Sequence, residues 1–194
     1  MGPSTGGVRM HPSGHRGYRI SRATLSDTAP IARVHVDGWR SSYRGLLPTA
    51  FLDALSYAQR EDLWRGVLAD AAGRHVFTAR EADGPIVGFA LGGPPQPRLP
   101  GYLGELHAMY VDESHQRRGV GTGLFHAVVS AFVEEGIDSM VTWTFIENPA
   151  VRFYEHLGGR RLDERSIEIA GDRVEEVAFG WAELVTQVVH HGSS

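Results

Sequence analysis

The segment Leu106-His107-Ala108-Met109-Tyr110-Val111-Asp112-Glu113-Ser114-His115-Gln116-Arg117-Arg118-Gly119-Val120-Gly121-Thr122-Gly123-Leu124 holds the residues best suited to chemistry in this chain. It reads as a strand, a basic glycine-rich turn and the start of an amphipathic helix. Such a turn can cradle an anion. Glycines remove the Cβ atoms that would block close backbone approach, the first N–H groups of a helix lack partners within it, and the helix dipole favours negative charge there. A diphosphate fits that description. Two nucleotide motifs that use the same physics fail on spacing. A Walker A loop needs Lys before the hydroxyl residue, where Gly121 precedes Thr122. A dinucleotide fingerprint needs glycine at its first, third and sixth positions, and counting from Gly119 the sixth is Leu124.

On the strand before the turn, period-2 alternation places Glu105, His107, Met109 and Val111 on one face. A carboxylate of reference pKa about 4.3, or an imidazole of about 6.5, could take a proton there. No cluster of His, Asp and Glu has convincing metal-ligand spacing, so no metal is expected. Zero cysteine excludes disulfides, thiolate metal sites and cysteine nucleophiles.

These residues need a scaffold. A strand is expected at Tyr18-Arg19-Ile20, then a helix from Ser26-Asp27 with Ile31, Val34, His35 and Trp39 at helical spacing. From Phe51 to Asp70 the apolar residues recur helically, as one broken or two short helices. The runs 75–79 and 86–91 around Asp83-Gly84 read as a hairpin. Four of the ten prolines lie between Pro94 and Pro100, which makes 92–101 a surface loop. A strand over 105–111, a helix over 122–135, a strand over 140–145, a short helix opened by Asn148-Pro149 and a hairpin about Ala170-Gly171-Asp172 complete the order. Residues 1–16 are read as a flexible lead, 17–186 as one domain and 187–194 as a flexible tail.

The chain has 194 residues, 42% hydrophobic and 22% charged, with 19 basic against 23 acidic side chains and a net charge of −4. That balance disfavours binding nucleic-acid phosphates through a basic face. No apolar run approaches the roughly 18 residues of a membrane span, and a cytoplasmic location is the default expectation.

The run Gln116-Arg117-Arg118-Gly119-Val120-Gly121 resembles the Gln/Arg-x-x-Gly-x-Gly/Ala signature of the GNAT superfamily of N-acetyltransferases. The Met-Tyr-Val strand end before it, the helix after it, the Asn148-Pro149 helix start, the Phe153-Tyr154-Glu155-His156-Leu157-Gly158 run and the element order extend the resemblance over roughly Tyr18 to Trp181. It implies an α/β fold: a mixed, mostly antiparallel central sheet of about seven strands flanked by about four helices. It also implies that acetyl-CoA places its pyrophosphate on the amides from Gln116 through Arg117, Arg118, Gly119, Val120 and Gly121 to Thr122. The pantetheine arm would run along Met109-Tyr110-Val111, where two central strands splay, with Asn148 and Tyr154 nearby.

The same resemblance assigns catalytic roles: Tyr154 as the acid beside the sulfur, and Glu105 or His107 as the base. Acceptor residues are expected from the first two helices and their connection, chiefly Trp39 and Tyr43, with Arg44, Trp143 and Phe145 as further candidates. The implied function is direct acetyl transfer to a primary amine of a small molecule. A protein or peptide amine, or noncatalytic acyl-CoA binding, are the alternatives. A homodimer is common in such proteins, although no residue pattern here argues one.

Overall fold

Seven strands form one sheet in the order β1-β2-β3-β4-β5-β7-β6 in the computed structural model. The structure describes residues 17–70, 73–82, 84–95 and 99–191, so the expected lead over 1–16 and Asp83 of the first hairpin lie outside the described residues. The strands are β1 (Tyr18–Arg22), β2 (His75–Glu81), β3 (Ile86–Gly93), β4 (Gly104–Val111), β5 (Met140–Phe145), β6 (Arg160–Ile169) and β7 (Asp172–Trp181). Only β4 and β5 run parallel; every other neighbouring pair is antiparallel.

Among the described residues six helices accompany them rather than about four: α1 (Thr28–Ser42), α2 (Thr49–Asp53), α3 (Tyr57–Ala69), α4 (Val120–Glu134), α5 (Ala150–His156) and α6 (Leu184–His191). The connection between α1 and α3 holds a separate single turn, α2. Helix α6 crosses the start of the segment expected as a frayed tail. Its first residue, Leu184, is fully buried in the α4 layer, and its amide donates to Asp138 O at 2.7 Å. Helix α1 starts at Thr28 with Asp27 as its N-cap, as the Ser26-Asp27 start implied, behind a 3-10 turn in which the Asp27 carboxylate accepts from Thr24 N at 2.8 Å. Gly92 and Gly93, expected in the loop, instead complete β3. A Cβ on Gly92 would lie 2.6 Å from Val128 Cγ1, so the bare backbone admits the α4 side chains.

Each face of the sheet carries an apolar layer. On one, Leu124, Phe125, Val128 and Phe132 of α4 cover Leu106, Met140, Val177 and Phe179. On the other, Ile31 and Val34 of α1 and Trp64 of α3 cover Val76, Ile86 and Phe89. Burying each such side chain contributes about 1.5–3 kcal/mol. Among the described residues no helix is long and apolar enough to cross a membrane, and no three His, Asp or Glu side chains converge as a metal site.

Candidate active site

The site begins where β4 and β5 separate. They pair only at Gly104 with Met140 and Glu105 with Val141. At the point of divergence Thr142 Oγ1 donates to Leu106 O at 2.8 Å. Beyond it, the facing edges of the two strands carry no ladder bonds between them. Such an edge offers main-chain donors and acceptors to an extended ligand, as an added strand would use them.

At the far end of β4 lies the glycine-rich turn. Gly119 caps α4 with φ of 83°, a left-handed conformation that glycine adopts without penalty. The first bond of the α4 ladder runs from Gly123 N to Gly119 O at 2.9 Å. The amides of Val120, Gly121 and Thr122 therefore stand ahead of it, at the positive end of the helix. Gln116 Nε2 donates to Val111 O at 3.1 Å, tying the turn back to the strand end. Arg117 and Arg118 are exposed and form no ion pair among the described residues. Val120 is buried, so its amide and not its side chain is on offer. A Cβ on Gly121 would lie 3.4 Å from Phe153 Cζ, which sets α5 against the turn.

Tyr154 projects from α5 into the same layer as Leu106 and Met140. Burial pushes its phenol up to about 12, against a hydrogen bond with Thr142 that pulls it down. Asn148 Oδ1 accepts from Ala150 N at 2.9 Å and so caps α5. The other end of that amide is left for the Tyr43 hydroxyl, with which Asn148 also bonds.

Tyr43, expected to line the acceptor pocket, sits at the end of α1 with its hydroxyl 3.1 Å from Tyr110 Oη and its ring 4.6 Å from Phe145. It thus links α1 to both sides of the opening. Burial raises the pKa of Tyr43, and raises that of Tyr110 well above the ordinary phenol value.

The single expected face of β4 does not survive. Leu91 pairs with Ala108 and Gly92 with Leu106, so His107 is an extra residue, a bulge. Met109 and Val111 consequently share the α4 layer with Leu106, while Ala108 and Tyr110 pack in the α1 layer. Strand alternation from Leu106 turns Glu105 toward the α1 side. Glu105 is buried, and its Oε1 lies 3.3 Å from His107 Nδ1. His107 Nε2 lies 3.0 Å from Pro94 O, which accepts its proton. Glu105 and His107 are therefore a pair, on the face opposite Tyr154.

Trp39 packs against Tyr43 at 5.0 Å and Phe51 at 6.1 Å between ring centres, and its buried Nε1 has no acceptor. The Arg60 guanidinium lies over its ring at 5.8 Å. Beneath, burial first and Arg60 second push His35 down to about 3, and its Nδ1 accepts from Trp64 Nε1 at 3.0 Å. Trp143 lies under Arg165, whose guanidinium is 3.9 Å from the ring centre and 2.8 Å from the Glu176 carboxylate. Arg44 is exposed in a one-residue bridge to Leu47, turned out of this cluster. Sequence reasoning missed Arg60, Arg165 and Glu176. The last two follow from counting outward from the Ala170-Gly171 turn, which sets 165 opposite 176; no local signal marks Arg60.

A splayed parallel pair inside an otherwise antiparallel sheet, ending on an open helix N-terminus, defines the acyl-CoA N-acyltransferase class. Residues 36–159 match the acetyltransferase (GNAT) family, and the chain belongs to that family of acyltransferases. It is 37% identical over 165 residues to the uncharacterized N-acetyltransferase YuaI of Bacillus subtilis (strain 168), covering 85% of this chain and 93% of the relative. It is 25% identical over 144 residues to the phosphinothricin N-acetyltransferase of Streptomyces viridochromogenes, covering 74% of each. The fold of yncA from Salmonella typhimurium, solved with its cofactor acetyl-CoA, superposes with a TM-score of 0.64 at 19% identity, over 86% of this chain and 94% of that one.

Proposed function

We propose that this chain transfers an acetyl group from acetyl-CoA directly to a primary amine of a small molecule. The observation that carries this is the opening between β4 and β5, which runs to the unpartnered amides of Val120, Gly121 and Thr122. Those amides, with Arg117 and Arg118 nearby, suit the pyrophosphate, and the main chain of Met109, Tyr110 and Val111 suits the pantetheine arm. The Salmonella structure bound to acetyl-CoA and the relative named for phosphinothricin, a small molecule, support the cosubstrate and the acceptor size.

Acetyl-CoA supplies the acetyl group as a thioester. The nitrogen of the acceptor, delivered as the neutral amine, forms its bond to the acetyl carbon as the carbon–sulfur bond breaks, and the chain must receive the one proton that the now ammonium-like nitrogen gives up and steady one thiolate. With no cysteine to form an acyl-enzyme, direct attack is the economical route. The Glu105–His107 pair takes the ammonium proton on the α1 side, where the acceptor enters past Trp39 and Tyr43. Tyr154 meets the sulfur from the other side. Its phenol, at about 12, is a weaker acid than a thiol of reference pKa about 8.5, so full proton transfer to the thiolate runs uphill. Tyr154 therefore acts by donating a hydrogen bond to the departing sulfur while keeping its proton.

The test is release of CoA thiol from acetyl-CoA across small amines and lysine peptides, read with a thiol reagent to which the cysteine-free protein adds no background. Release driven by small amines supports the reading, and release driven only by peptides replaces the acceptor class. Tight acetyl-CoA binding with silence across both classes favours a noncatalytic acyl-CoA sensor.

A further inference from the structure

Two arginines reach over the corner where α1, α2 and α3 meet, and they differ. Arg40 is fully engaged: its guanidinium donates to Leu52 O, Asp53 O, Leu55 O and Tyr57 Oη at 3.0–3.3 Å. The Arg60 guanidinium has no hydrogen bond or ion pair among the described residues, yet it stands over the Trp39 ring, and its charge is felt by His35 and Tyr110 beneath. Next to it, Trp39 Nε1 is shielded from water without an acceptor. A buried donor left so is uncommon in a folded protein and marks a demand for an oxygen.

No carboxylate among the described residues answers that demand. Asp37 accepts from Tyr57 Oη at 2.6 Å and faces Arg33, and Glu176 is held by Arg165. A guanidinium stacked over an indole ring without a hydrogen-bond partner, with that indole's N–H also unpartnered and its ring packed on Tyr43 and Phe51, has the chemistry to take an organic oxyanion. This packing is continuous with the transfer site, because Tyr43 reaches the opening through Tyr110.

We infer that Arg60 and Trp39 form a carboxylate subsite for the acceptor, so that the amine acetylated here belongs to a molecule that also carries a carboxylate. This rests on the acetyltransferase reading. The anion is held by a charge-assisted bond from Arg60 and a neutral one from the Trp39 indole, while the aromatic rings take the apolar part of the molecule.

The test measures binding by calorimetry, with CoA present, of matched compounds that differ only in the carboxylate: phenylalanine against phenethylamine, leucine against isopentylamine, and 4-aminobutyrate against butylamine. At least one acid should bind tenfold or more tighter than its partner. Arg60→Met, which keeps the stem over the indole, should abolish that preference, Arg60→Lys should restore part of it, and Trp39→Phe should reduce it severalfold. CoA affinity should be unchanged in all three variants. Equal binding within every pair, no binding by any acid, or a preference that survives Arg60→Met overturns the subsite. Thiol release driven by uncharged amines alongside equal binding overturns the subsite and leaves the transferase reading standing. Failure of acetyl-CoA itself to bind strikes that reading instead.

Discussion

Gly38 and Gly66 both lie inside helices, yet replacing each with alanine should shift stability in opposite directions. An ideal Cβ at Gly38 would lie 2.6 Å from Tyr110 Cδ1, 3.1 Å from Cγ and 3.2 Å from Cβ. Because the Tyr110 Cβ is itself too close, rotating the ring cannot relieve the overlap, and β4 or α1 must move. Helix propensity returns at most about 1 kcal/mol, whereas overpacking costs about 1–3 kcal/mol and the Tyr43–Tyr110 contact is worth roughly 1 kcal/mol. The expected balance is a loss of about 1–3 kcal/mol. For a domain of this size each kcal/mol moves the melting temperature by about 2–4 °C, so Gly38→Ala should melt about 2–12 °C lower. At Gly66 nothing lies within 4 Å, and only the propensity gain remains: a rise of about 2–4 °C. Thermal unfolding followed by far-ultraviolet circular dichroism reads both. A rise in melting temperature for Gly38→Ala would refute the close approach of α1 to Tyr110, and with it the account of how α1 is seated on β4.

Tyr154→Phe should lower kcat by about tenfold or more while leaving the KM for acetyl-CoA within about twofold, because the lost hydrogen bond acts on the leaving sulfur; an unchanged kcat removes Tyr154 from the reaction. Gly121→Val pushes a branched side chain into the space between the turn and Phe153, and calorimetry should find acetyl-CoA binding weakened by about tenfold, or about 1.4 kcal/mol. His35 carries the acid sensitivity of the fold: with its folded value lowered to about 3 from 6.5, the stability it contributes is present above about pH 6.5 and drains away as pH falls toward 3. That contribution is on the order of 5 kcal/mol at most, and urea titrations between pH 7 and 4 should be visibly flatter against pH in His35→Gln.

Most of the scaffold was legible because its signals are local. The strand over 140–145 is observed at those bounds, and α3 is opened by Ser56, whose Oγ accepts from Gln59 N at 3.3 Å. The glycine-rich turn could be read for the same reason: its chemistry is main-chain geometry, set by Gly119 and by the helix that follows. Tyr43 was named for the acceptor pocket, and its bonds to Tyr110 and Asn148 were not legible because they join residues from three separate elements. Arg60 was invisible because an unpaired arginine in an amphipathic helix looks like any solvated cation. Its meaning depends on the Trp39 indole that α1 brings beneath it. Trp143 was chosen for its aromatic character, and only the fold reveals Arg165 lying over that ring.

The bulge at His107 shows how a long-range detail decides the chemistry. In an unbroken strand Glu105 and His107 would share the face of Met109 and Val111, and both would be driven into the apolar layer under α4, beside Tyr154. A carboxylate there would sit among apolar side chains, away from an acceptor arriving past Trp39. One extra residue reverses the alternation beyond it. The pantetheine-suited stretch from Met109 keeps its side chains in the α4 layer, while Glu105 faces the α1 side with His107 as its neighbour. In the proposed reaction, the Glu105–His107 pair and Tyr154 then lie on opposite sides of the opening, so the attacking amine would approach from one side while the sulfur departs toward the other. The extra residue is defined only by how β4 pairs with β3 at Leu91 and Gly92, a partner some fifteen positions away, which is why period-2 reasoning on β4 alone assigned the wrong face.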